Sequence, residues 1–409
     1  MQLIRSKDLY MLLRETLKLF DRRPIVHGGK VAYIVYKMLQ LKGGLEDYEL
    51  ADTIFLTNFH DIGAYRTEDM EEMIKYETKS FRAHCLYGQL FLENLSLTGE
   101  MAKIILYHHD DYGSLQKPGF SFAELTSYIS LAEAIDIFST SLGEKFRIDI
   151  FEKKMGGRFS KTAFELFKRS NDEYDLFGQI RSRAYISEMA DFMENFILTN
   201  AEKEKLIELL MFTLALKSDT VIKIQALCVA LCEKLGILLR LPPAQQTNLI
   251  HAAYLHDIGL LAFRKEWIED MGKLSSEQME KLAYHTLLME KLLKDRVRRE
   301  VINIAAAHHE RVDGKGYPRR LTENQMNLAQ LILQFADTLA VLMAKPKEKE
   351  VILAKIKDGV DSGALCSTVA KIYMDRYGEI AEYAHNRQNE ILGAYRRLEE
   401  QYTGNSATV

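Results

Sequence analysis

The sequence predicts an all-α protein built as two tandem helical bundles, and three observations carry that prediction. Prolines are few, six in 409 residues, while Leu, Ala, Glu and Lys are plentiful, a composition that favours helix. The chain exceeds the usual ~100 to 200 residues of one domain. The same order of histidine-rich features also occurs twice, as an internal duplication would leave it.

The two copies can be followed in order. FLTNFHDIGA (55–64) is echoed by AYLHDIGLLA (253–262), and IILYHHDDYG (104–113) by IAAAHHERVDG (304–314). Between them lies a single histidine, His84 in FRAHCLYGQLFL and His285 in LAYHTLLMEKLL. The offsets are 196, 201 and 200 residues (60 to 256, 84 to 285, 108 to 308). After each HH pair comes an apolar helix that carries an acid. SYISLAEAIDIFSTSL holds Glu133, with Asp136 one turn further on, and LAQLILQFADTLAVLMA holds Asp337 among Phe335, Leu339, Val341 and Leu342. A carboxylate in such surroundings must be paired or must bind a metal. FEKKMGGRFSKTAFELFKRS then closes the first copy, interrupted at Gly156 and Gly157. Polar helical sequence such as NAEKEKLIELL marks the joint, so the expected domains are 1–185 and 186–409, with a rigid helical connection rather than a floppy tether.

Composition excludes several classes of function. Lys+Arg 54 against Asp+Glu 58 gives a formal charge of -4, so there is no global basic field for binding DNA. The N-terminus mixes charges into its apolar residues, unlike a signal peptide, and no run of about 18 apolar residues offers a membrane span. A cytoplasmic protein is expected. Cys85, Cys228, Cys232 and Cys366 do not make a disulfide framework in a chain of this size. Cys228 and Cys232, four apart on an apolar helical face, are expected to be core thiols.

The recurring histidines and acids suit a two-metal hydrolytic site. Imidazole and carboxylate donors without thiolate favour Fe, Mn, Ni or Zn at an open catalytic centre. In each HD pair the histidine can bind one ion while the aspartate bridges to a second, and two ions about 3.5 to 4 Å apart can clamp a phosphoryl group. A single HD before Gly63 or Gly259 also suits an ordinary helix C-terminus. Six features in matching order, twice in one chain, favour the metal site.

In the second half, HHERVDGKGYP places His308, His309, Glu310, Asp313, Gly314, Gly316, Tyr317 and Pro318 on the pattern HH-E-x-x-D-G-x-G-Y-P. With the preceding H, HD and H and the following D, the chain resembles the HD-GYP subgroup of the HD superfamily, metal-dependent phosphohydrolases that cleave cyclic dinucleotides. The resemblance implies two divalent transition-metal ions per competent site. His27, His60, Asp61 and Glu133 would hold one ion of the first half, and Asp61 would bridge to a second held by His84, His108 and His109. In the second half, His256, Asp257 and Asp337 would hold one ion, with the other on Asp257, His285, His308 and His309. Asp61 and Asp257 are the expected catalytic pair. Arg311, Asp313, Gly314, Lys315, Gly316, Tyr317 and Pro318 form the expected substrate-binding loop, with Tyr317 packing rather than stacking on a base.

The sequence departs from the family at named places. Thr220 stands sixteen residues before Gly236, where His27 stands sixteen before Gly43, so weaker or single-metal occupancy is expected in the second half. Ala64 and Leu260 replace the lysine that follows HDIG, a residue the family is thought to use for substrate phosphate. Arg66 in the first half, and Arg264, Lys265, Arg311, Lys315, Arg319 and Arg320 in the second, are the substitute cations available. The first half lacks GYP, and its HH-to-acid distance is 25 residues (108 to 133) against 29 (308 to 337). The expected activity is hydrolysis of cyclic di-GMP or 3′3′-cyclic GMP-AMP. The alternatives are a catalytically degenerate sensor or scaffold for the same ligands, or a general nucleotide phosphohydrolase in the first half. A signalling partner at the GYP loop and a homodimer are the further expected contacts.

Overall fold

The computed structural model describes residues 4–67, 81–196, 198–344 and 348–406. Among them the regular structure is helical, and the only extended pairings are isolated bridges at Met155–Phe159 and Asp313–Thr322. The all-α expectation therefore holds. No described helix is long and apolar enough to cross a membrane.

The chain divides into two compact units, and the division is not one cut between 185 and 186. One unit comprises Asp21–Lys205 with Tyr395–Val409, and the other Met1–Phe20 with Leu206–Ala394. The second holds the GYP loop and is called the GYP unit below. Side-chain contacts explain why the termini sort this way. Helix α1 (Ser6–Phe20) supplies Leu19 and Phe20 to the apolar cluster of Leu214, Val221, Leu260, Leu261, Ile268 and Leu282. At the other terminus Tyr87 donates its hydroxyl to Glu399 at 3.0 Å and packs edge-on against Tyr402.

In the first unit, α2 (Arg22–Lys42) begins at Asp21, whose carboxylate accepts from the Arg23 amide, and ends at Gly43, where φ is 68°. That left-handed backbone is one glycine adopts without strain. Helix α3 (Asp47–Asn58) leads into His60 and Asp61, α4 (Arg82–Leu95) carries His84, and α5 (Ala123–Leu142) carries Glu133 and Asp136. Helices α3 and α5 both pack against α2, whose aliphatic and tyrosine side chains are largely buried.

The GYP unit is assembled in the same order. Ser218 caps α6 (Asp219–Leu238) by accepting from the Val221 amide at 3.3 Å. Helix α7 (Pro243–Leu255) precedes His256 and Asp257, α8 (His285–Leu293) starts at its histidine, and α9 (Arg299–Ala305) leads to His308 and His309. Helix α10 (Leu328–Met343) carries Asp337 and starts in a capping box between Asn327 and Gln330, which satisfies two amides that a helix start leaves open. Helices α11 (Lys349–Asp361) and α12 (Tyr377–Ile391) complete the unit, and Arg387 on α12 holds Glu233 of α6 at 2.7 Å.

Candidate metal centres

Five histidines are set by one local device. His60, His108, His256, His285 and His308 each place Nδ1 2.6 to 3.0 Å from the carbonyl three residues earlier: Thr57, Ile105, Ala253, Leu282 and Ala305. An Nδ1–H donated to that carbonyl leaves Nε2 to face inward, with its lone pair wherever the ring is neutral. The geometry follows from the helix end, because the carbonyls of the last turn have no intrahelical partner.

The glycine of HDIG has a role that the sequence does not announce. Neither Gly63 nor Gly259 adopts positive φ, so neither is the left-handed helix stop that a single HD motif would also suit. A Cβ on Gly63 would stand 2.1 Å from the His84 carbonyl oxygen, and one on Gly259 2.1 Å from that of His285. Only glycine lets the next histidine's helix approach this closely.

In the first unit the two oxygens of Asp61 face different histidines. Oδ2 lies 3.3 Å from His60 Nε2, while Oδ1 lies 3.7 Å from His84 Nε2 and 3.8 Å from His108 Nε2. On one side His27, His60 and Glu133 converge, and on the other His84, Cys85, His108 and His109. His109 Nδ1 is 3.7 Å from Glu133 Oε1. His27 is oriented by Asp136, which accepts from Nδ1 at 2.7 Å and from Lys30 at 3.0 Å. Asp136 is thus an orienting carboxylate, a role the sequence did not assign. Arg158, beyond the Gly156–Gly157 interruption, donates to the His109 carbonyl and lies 3.2 Å from Asp111.

The GYP unit repeats this pattern. Asp257 Oδ2 is 3.5 Å from His256 Nε2, and Oδ1 is 3.5 Å from His285 Nε2 and 3.6 Å from His308 Nε2. Asp337 spans the same two sides, with Oδ1 3.6 Å from His256 Nε2 and Oδ2 3.8 Å from His309 Nδ1. Thr220 is exposed on the first turn of α6. Cys228 instead lies with His256 and Asp337, their ligand atoms within 4.8 Å of one another. Apolar spacing had placed this thiol correctly in the interior, but an apolar helical face does not tell which buried residue meets a carboxylate.

Electrostatics separate neutral donors from groups, His256 and Glu133 among them, that hold a proton until an ion takes its place. Burial holds His108, His109, His308 and His309 well below the usual histidine value, reinforced by neighbouring imidazoles. They are neutral, the form that coordinates metal. Burial also opposes charge on His256, yet Asp257 and Asp337 outweigh it and raise its pKa to about 9. Glu133 is pushed up to about 8 by burial and then by Asp61. Burial raises the Cys228 thiol well above its usual value, with Cys232, Asp337 and Asp257 adding to it.

The residues present fit divalent ions. Nε2 of His60, His108 and His256 is buried and makes no hydrogen bond, and each lies beside a carboxylate. Leaving such groups without a partner would be costly.

The GYP loop is built around Glu310. This fully buried carboxylate accepts from the Arg319 amide at 2.6 Å and the Leu321 amide at 2.9 Å, so it braces the loop. Gly314 takes φ 74°, and a Cβ on Gly316 would meet the Arg311 amide nitrogen at 2.4 Å. Tyr317 packs its ring on His309, with centroids 4.8 Å apart, and the peptide to Pro318 is cis. Arg311 holds Asp313 at 2.8 Å, and Lys315 Nζ is 3.6 Å from the same carboxylate. Asp313 is therefore engaged within the loop rather than presented to a ligand. Among the other expected cations, Arg319 pairs with Glu290 and Lys265 lies 3.9 Å from Glu269. Leu260 is buried in the apolar cluster. A cavity of about 430 Å³ opens beside His308 and His309, and Arg311 and Lys355 of α11 lie on its wall. Lys355 was not singled out from the sequence, because it lies 46 residues beyond His309 in an ordinary amphipathic helix.

Comparison with known proteins points the same way. A family profile described as "HD domain" matches residues 208–354. A 3′3′-cGAMP-specific phosphodiesterase of Vibrio cholerae is 25% identical over 358 residues, 81% of this chain and 81% of that protein. A cyclic di-GMP phosphodiesterase of Thermotoga maritima is 29% identical over 169 residues, 39% of this chain and 42% of that one. In fold, a solved cyclic GMP-AMP specific phosphodiesterase of V. cholerae matches with a TM-score of 0.56 and 16% identity, over 94% of this chain and 98% of that one. The motif residues, their convergence in the structure and these similarities lead to one conclusion: residues 208–354 match an HD domain, and within that stretch lies the sequence HHERVDGKGYP.

Proposed function

We propose that the protein is a metal-dependent phosphodiesterase that opens a cyclic dinucleotide, with hydrolysis in the GYP unit. The observation that carries this reading is the cavity of about 430 Å³ beside His308 and His309, with Lys355 on its wall. That volume lies in the range of small-molecule sites, about 300 to 1,000 Å³. Divalent ions, when bound, supply Lewis-acid neutralisation of the charge that develops on the phosphoryl oxygens. Asp257 would hold the ions together with the histidines, one of its oxygens facing His256 and the other facing His285 and His308. Lys355 holds a substrate phosphate, the task for which Leu260 offers no charge, and Tyr317 fixes the plane of His309. Cleavage of one phosphodiester then yields a linear dinucleotide. The similar V. cholerae protein that spans both halves is named for 3′3′-cGAMP, which makes 3′3′-cyclic GMP-AMP the first substrate to assay and cyclic di-GMP the second.

The first unit has its own complete donor set and is read as a second metal centre that supports the fold. Turnover of both cyclic dinucleotides by wild type, Asp61→Ala and Asp257→Ala tests the assignment. Asp257→Ala should abolish hydrolysis while Asp61→Ala retains at least about a tenth of it, within 1.4 kcal/mol of wild type. Loss only in Asp61→Ala would move the chemistry to the first unit, and no turnover by any form would support a binding protein instead. Lys355→Ala should raise KM about tenfold, the worth of one charged hydrogen bond, with metal content unchanged.

A further inference from the structure

In the first unit the slot beside His60 and Glu133 is filled by His27. In the GYP unit the aligned residue, Thr220, is exposed. Cys228 stands eight residues further along the same helix, about two turns, and is fully buried. Its sulfur and ligand atoms of His256 and Asp337 lie within 4.8 Å of one another. We propose that Cys228 is a protein ligand of the GYP unit, a thiolate taking the coordination position that His27 takes in the first unit.

An independent observation points to the same ion. His256 is fully buried, and its Nε2 makes no hydrogen bond while facing Asp257 Oδ2 at 3.5 Å and Asp337 Oδ1 at 3.6 Å. Donors about 2.1 Å from one tetrahedral ion stand about 3.4 Å apart. Both carboxylate oxygens stand near that spacing from the imidazole nitrogen, and the Cys228 sulfur is the fourth donor. Coordination releases the thiol proton to solvent as the sulfur lone pair binds the ion, with no change of oxidation state.

The first unit's thiol differs. Cys85 Sγ lies 3.7 Å from His108 Nδ1, the nitrogen turned toward the Ile105 carbonyl. Cys85 therefore sits on the outer side of the ring, away from Nε2. A thiolate donor makes the GYP unit prefer borderline ions such as Zn²⁺ or Fe²⁺ over Mg²⁺ and Mn²⁺.

The inference rests on the metal-centre reading of the GYP unit, and the test separates the two. The full chain is loaded with Co²⁺, and bound cobalt and its absorption are measured for wild type, Cys228→Ser, Cys85→Ser and Asp257→Ala. Wild type should show sulfur-to-cobalt charge-transfer absorption in the near ultraviolet. Cys228→Ser should lose it and bind cobalt at least about tenfold more weakly in that unit, the loss that even an outer partner of a ligand causes. Cys85→Ser should keep it. X-ray absorption of the zinc-loaded wild type, which needs no variant to fold, should show a sulfur neighbour at about 2.3 Å. Cobalt that is lost in Asp257→Ala but shows no sulfur ligation in wild type overturns the proposal and leaves the metal centre standing. An absorption that survives Cys228→Ser also overturns it. Cobalt binding unchanged in Asp257→Ala overturns both readings.

Discussion

At the scale of single residues, the site is a problem of aiming imidazoles. Each of the five helix-end histidines uses the carbonyl three residues back to hold Nδ1. His27 lies inside α2, where that carbonyl is taken, and Asp136 performs the task instead. Asp136→Asn, near in shape but without the charge, should weaken metal binding in the first unit by about 10- to 100-fold, read by competition with a chelator. Unchanged affinity would show that Asp136 serves Lys30 alone. A second residue gives a pH test remote from the ligands. Asp52, partly buried and near Glu202, has its pKa raised to about 6 by burial and then by that charge. Between about pH 4 and 6 the folded state keeps a proton that the unfolded chain has lost, so stability falls as pH rises through that window. The whole shift corresponds to about 3 kcal/mol, and solvent screening reduces it to about 1 kcal/mol. Asp52→Asn should therefore be more stable than wild type by that amount at pH 7 and equal to it at pH 4, as measured by urea unfolding.

At the scale of elements, the decisive contact is the approach of each single-histidine helix to the HDIG turn. The motif by itself is compatible with a helix stop, and only packing shows that Gly63 and Gly259 are required by a neighbouring carbonyl. Gly259→Ala should push α8 outward, destabilise the GYP unit by about 1 to 3 kcal/mol, and lower its metal content because His285 moves with the helix. Thermal melting with metal analysis checks both effects, and full metal at unchanged stability would count against the account. Glu310 is a parallel case. Its place in the motif was legible, whereas its function of holding the Arg319 and Leu321 amides depends on how the loop turns back over it.

At the scale of the whole molecule, each candidate metal centre joins elements distant in sequence, so bound ions should act as cross-links of the folded state. An ion that binds only the native form at a hundred times its dissociation constant adds about 2.7 kcal/mol. Removing metal should therefore lower the melting temperature, and Zn²⁺ should restore it where Mg²⁺ does not. An unchanged melt after complete removal would mean that the buried histidines are satisfied without metal. The units also exchange termini in a way that linear order hides. The first helix closes the GYP unit and the last segment closes the other, because apolar residues such as Phe20 and Tyr402 go where a complementary face exists.

The sequence by itself determined the helical class and the order of the candidate ligands, with an aspartate beside a histidine in each half. Those features are local, written in helical periodicity and in short motifs at helix ends. Tertiary structure decided that Asp136 orients His27, that Lys355 reaches the cavity wall, and that Cys228 rather than Thr220 stands beside His256 and Asp337. Each of these depends on how two helices far apart in the chain are set against each other, which no spacing along one helix can specify.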